Sequence, residues 1–89
     1  MGVTPSQIDR AVAISKACGA TRLILFGSVL ERPDEARDID LACDGIPGWK
    51  IFRLAAELER ALETPVDLIP LSPPSRSTRS VERSGKVLL

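Results

Sequence analysis

Histidine is absent from this 89-residue sequence, which excludes imidazole acid–base catalysis and histidine-ligated zinc. Cysteine is scarce. Cys18 and Cys43 form neither a disulfide framework nor a metal-ligand spacing, and their apolar settings read as buried reduced thiols. Charge of one sign is also missing, since 12 basic side chains balance 12 acidic ones, so no general pull on nucleic acid exists. Aromatic residues make up 3% of the chain, too few to interleave with basic residues as a base-stacking platform. No apolar run is long enough to span a bilayer, and no charged-then-apolar leader opens the chain. A cytoplasmic protein that touches neither membrane nor nucleic acid directly is therefore expected. Any chemistry rests on carboxylates, hydroxyls and basic groups.

The length suits one domain over residues 1–89 with a small core, because such a chain hides only about 60–65% of its unfolded surface. A cleft needs walls on both sides. Here another chain is expected to supply one of them.

Thr4, Pro5 and Gln7 predict a helix start, with Thr4 as cap, Pro5 in the first turn and Gln7 closing a capping box. Ile8, Ala11, Val12, Ser15 and Cys18 then share one helical stripe, and Gly19 stops it. Residues 22–26 form an almost wholly apolar run that ends in Gly27-Ser28, the pattern of a buried strand. Residues 29–37 read as a short helical turn and an exposed loop. A half-buried strand follows over 38–43, then a loop over 44–48. A helix is predicted over 49–63 with Phe52, Ala55, Leu58 and Leu62 on its inner face, and a third strand over 66–71. Residues 72–84 are rich in serine, proline and arginine and read as solvated and partly mobile, while 85–89 could close the sheet. The order implies an α/β (α+β) architecture, a small mixed sheet flanked by helices.

Asp38 and Asp40 stand two apart, so in a strand their side chains leave one face about 6.6 Å apart along the backbone. Two such carboxylates repel unless a cation lies between them, and an oxygen-only set suits magnesium or manganese. Asp67 is flanked by Val66 and Leu68 and joins them if its strand neighbours theirs. Gly27 and Ser28 leave backbone N–H groups and a hydroxyl free for phosphate oxygens. Read singly, each aspartate is equally the polar half of an edge strand, and Gly-Ser equally a turn. Their combination and order carry the signal.

That combination resembles the DNA polymerase β-like nucleotidyltransferase superfamily, in particular its smallest branch, the minimal nucleotidyltransferase antitoxins. The pattern there is Gly-Ser, a spacer of about ten residues, Asp-x-Asp, and a later strand with a third carboxylate. Here it reads Gly27-Ser28, Asp38-Ile39-Asp40 and Val66-Asp67-Leu68. The resemblance implies the polymerase β-like fold and metal-dependent transfer of a nucleoside monophosphate, AMP from ATP, to a hydroxyl. Asp38, Asp40 and Asp67 would hold the metals, with Asp67 also helping to deprotonate the acceptor. Gly27 and Ser28 would hold the β- and γ-phosphates. The acceptor implied is a tyrosine of a HEPN-type toxin, which the chain silences as its antitoxin.

Arg37 precedes the Asp-x-Asp pair where many relatives have serine, and Glu31 lies where small or basic residues are usual. These departures support an alternative, an inactive antitoxin that neutralises its partner by occlusion. A third class, modification of a small molecule such as an aminoglycoside, would need an acceptor pocket from a separate subunit. Two features remain outside the motif. Trp49 is expected to pack at a helix start on the core or on a partner. Arg76, Arg79, Arg83 and Lys86 outnumber Glu82 in the last stretch and read as a solvated basic segment.

Overall fold

The computed structural model describes residues 2–89. Helix α1 (Pro5–Ala17) opens with the expected reciprocal cap. The Gln7 N–H donates to Thr4 Oγ1 at 3.2 Å, and the Thr4 N–H donates to Gln7 Oε1 at 2.8 Å. Strand β1 (Arg22–Phe26) leads through Gly27 into the single turn α2 (Ser28–Glu31), and β2 (Ile39–Asp44) follows the loop. Helix α3 (Gly48–Leu62) ends at Glu63, which takes a left-handed φ of 54°, and β3 (Val66–Pro70) returns beside β2. Helix α4 (Arg76–Ser84) and the short β4 (Lys86–Val87) complete the chain.

The sheet order is β3-β2-β1-β4, with β1 antiparallel to β2 and β4, and β2 parallel to β3. The parallel pair is joined through α3, the usual solution for a crossover. The expected mixed sheet flanked by helices is thus present. Its two faces differ. On one, Leu23, Leu25, Ile39, Leu41, Cys43 and Leu68 pack against Ala11 of α1 and Ile51, Leu54, Leu58 and Leu62 of α3. On the other, Ile24, Ala42, Leu71 and Val81 form a smaller cluster roofed by α4, with Phe26 and Ile69 at its border.

Four expectations need correction. The inner face of α3 is Ile51, Leu54, Leu58 and Leu62, whereas Phe52 is 85% exposed. Both stripes share Leu58 and Leu62, and the packing of the first turns selects Ile51 and Leu54. Of the two settings expected for Trp49, the core of this chain is excluded, since the ring is 75% exposed. Residues 76–84 are helical, because Ser75 and Thr78 build a second reciprocal cap and Val81 gives the helix an anchor on the sheet. Finally, β2 begins at Ile39, which leaves Asp38 exposed immediately before it.

Candidate active site

Asp40 and Asp67 are paired residues in the parallel ladder between β2 and β3. Side chains of paired residues leave the same face of a sheet, on strands about 4.8 Å apart. That face is the one bearing Ile24, Ala42 and Ile69, beyond the part roofed by α4. Apolar residues on either side fix the register: Ile39 and Leu41 are fully buried on the opposite face, and Leu68 is buried with them. A slip by one residue would put a carboxylate into the core. Asp38 shares the parity of Asp40, one step outside the ladder. The strands of Asp40 and Asp67 are neighbours, as the expected grouping requires, while Asp38 stands outside the ladder.

Gly27 closes the site from β1, whose last residue Phe26 pairs with Asp40. Its φ of 80° and ψ of −155° lie where only glycine is at ease. A Cβ here would collide with the Asp40 carboxylate, so the bare backbone is what allows the turn to lie against that side chain. Ser28 follows, exposed, at the first position of α2. The first N–H groups of a helical turn have no intrahelical acceptor, and Gly27, which precedes them, lies against the Asp40 carboxylate.

The Asp40 carboxyl is held above its usual range, first by burial and then by the charges of Asp67 and Asp38. Asp40 thus feels the charge of both other acids, Asp67 more than Asp38. Among the described residues, no three acidic or cysteine side chains stand together as a ready-made metal-ligand set. By chemistry the donor set fits a hard divalent cation all the same, being carboxylate oxygen only.

Flanking residues sort themselves by position. Glu31 is exposed at the end of α2, and Arg32 pairs with Glu35 at 3.9 Å in a solvated contact worth little. Arg37 lines a cavity of about 1080 Å³ with Gln7, Leu62, Thr64 and Pro65, on the side of α1 and the end of α3. Neither cysteine takes part. Cys43 is buried beneath the sheet with its thiol pushed up to about 11, by burial and then by Asp44. Cys18 is raised by burial and by Glu57, whose carboxylate accepts from the thiol at 3.6 Å. No helix is long and apolar enough to cross a membrane among the described residues.

No family model matches the sequence, nor does any curated protein. Solved structures do. A toxin–antitoxin MntA–HepT complex changed at two aspartates two residues apart superposes at a TM-score of 0.79 with 21% identity, over 92% of this chain and 72% of that one. The Shewanella oneidensis complex of an MNT antitoxin with a tri-AMPylated HEPN toxin gives 0.75 and 24%, over 94% and 70%. A toxin–antitoxin structure with AMP-PNP gives 0.76 and 23%, over 92% and 72%. The chain accordingly has the minimal nucleotidyltransferase fold of those antitoxins.

Proposed function

We propose that this chain transfers AMP from ATP to a protein hydroxyl, a tyrosine of a HEPN-type toxin, and acts in the cytoplasm as the antitoxin of that toxin. The observation that carries the reading is the pairing of Asp40 with Asp67 in a parallel ladder, with Gly27 packed against the Asp40 carboxylate. The similar structures support it, since one contains a tri-AMPylated toxin and another the ATP analogue AMP-PNP.

Asp38, Asp40 and Asp67 would hold magnesium or manganese, which supplies positive charge to the attacking and leaving oxygens of an in-line displacement. Gly27 and Ser28 would hold the β- and γ-phosphates through backbone N–H groups and the hydroxyl. The acceptor oxygen attacks the α-phosphorus, the bond from that phosphorus to the bridging oxygen breaks, and pyrophosphate leaves. Asp67, exposed at the rim, takes the acceptor proton. Burial and the charges of Asp67 and Asp38 raise the Asp40 carboxyl above its usual range, and a cation held there would offset both effects.

The test is incubation of the chain with magnesium, labelled ATP and the HEPN protein encoded beside it. Label on a tyrosine of that protein is expected, and no label with any nucleotide ends the reading. The occlusion alternative draws on the open disposition of the three acids. Replacing Asp38 and Asp40 by alanine separates the two, because an occluder still silences the toxin and an enzyme does not.

A further inference from the structure

Helix α4 roofs the same sheet face that carries Asp40 and Asp67. Val81 and Thr78 turn inward, and both are buried. Arg76, Arg79 and Arg83 recur at helical spacing on the opposite, outward side and are exposed. With Glu82 they line an open groove of about 630 Å³. Glu82 is already occupied, since it pairs with Arg22 of β1 at 3.7 Å. None of the three arginines makes an ion pair among the described residues. The groove thus carries positive charge that the chain leaves uncompensated, in a protein whose overall charge is zero.

We propose that this arginine stripe is a docking surface for an acidic segment of the protein that presents the acceptor hydroxyl. The inference rests on the proposed transfer reaction and extends it from the reacting atoms to the partner's surface. A protein that reaches Asp40 and Asp67 must settle on the sheet face beside α4, so the outward arginines of that helix border its approach. Three guanidiniums over about 10 Å of helix match a row of carboxylates, which they hold in forked geometry. An RNA strand is the lesser fit. The exposed side of α4 has no aromatic residue on which a base could stack.

The experiment measures binding of the co-encoded HEPN protein to the wild type and to the triple variant Arg76→Glu, Arg79→Glu, Arg83→Glu, at low and high salt. Circular dichroism checks the fold, and a triple arginine-to-glutamine variant stands in if the first fails to fold. A weakening of about tenfold or more at low salt, shrinking as salt rises, is expected, with magnesium–ATP binding unchanged. Equal partner affinity in wild type and variant overturns the docking surface while leaving the transfer reaction intact. Loss of magnesium–ATP binding in the variant also overturns it, by assigning the arginines to the nucleotide. A fluorescent 12-nucleotide RNA that binds the wild type at physiological salt and displaces the HEPN protein overturns it in favour of nucleic acid. A wild type that binds no HEPN protein removes both the docking surface and the reading beneath it.

Discussion

The two faces of the sheet meet the same backbone with opposite demands. Beneath it, α1 and α3 press Leu23, Leu41, Leu54 and Leu58 into a core with almost no solvent contact. Above it, Thr78 and Val81 of α4 cover a smaller cluster with Ile24, Ala42 and Leu71, and the end of the face beyond carries Asp40 and Asp67. A small chain thus concentrates stability on one side and leaves the other open for chemistry. Mutations on the lower face should therefore affect folding, and those on the upper face mainly activity.

The largest separation is expected from Asp40→Asn. Transfer should fall by about a thousandfold, since several kcal/mol of charge stabilisation depend on the carboxylate. Folding stability at neutral pH should rise, because the change removes a half-buried charge crowded by Asp67 and Asp38. Magnesium should stabilise the wild type against heat and leave this variant unmoved. Activity assays and thermal melts read both, and a variant as active as the wild type would break the contrast.

Leu58→Ala on the lower face should cost about 2–5 kcal/mol, measurable by denaturant unfolding, through the cavity it leaves. Gly27→Ala belongs to both sides. It should cost about 1–3 kcal/mol for the backbone alone and cut transfer well beyond that, by pushing the turn off Asp40.

The faces also differ in their response to pH. Cys43 holds its proton more tightly folded than unfolded, so stability should fall as pH rises from about 9 to about 11. Cys43→Ala should flatten that slope in melts taken across the alkaline range. The smallest effect is expected from Phe52→Ser, within about 0.5 kcal/mol, because the ring is already in water. A loss as large as that of Leu58→Ala would mean that α3 buries its outer side as well.

Much of this was legible in the sequence because the signals were redundant. The cap at Thr4 and Gln7 and the apolar run over 22–26 each forced one arrangement, and Ile39, Leu41 and Leu68 fixed which side of their strands Asp40 and Asp67 take. Helix α4 was not legible, because a serine–threonine cap is weak and a lone valine makes a poor stripe. The inner side of α3 was ambiguous for the same kind of reason. Two stripes shared Leu58 and Leu62, and only the sheet beneath chose between Ile51 with Leu54 and Phe52 with Ala55. The pairing of Asp40 with Asp67 needed long-range register, which spacing in the chain implies but does not specify.

The lone indole of Trp49 has a practical consequence, since it already sits in water while the chain is folded. Its emission will barely change when the protein melts, and so it is a poor gauge of denaturation. The same ring is a clean optical sensor for anything that settles on the start of α3, where a blue shift would register contact with no dye attached.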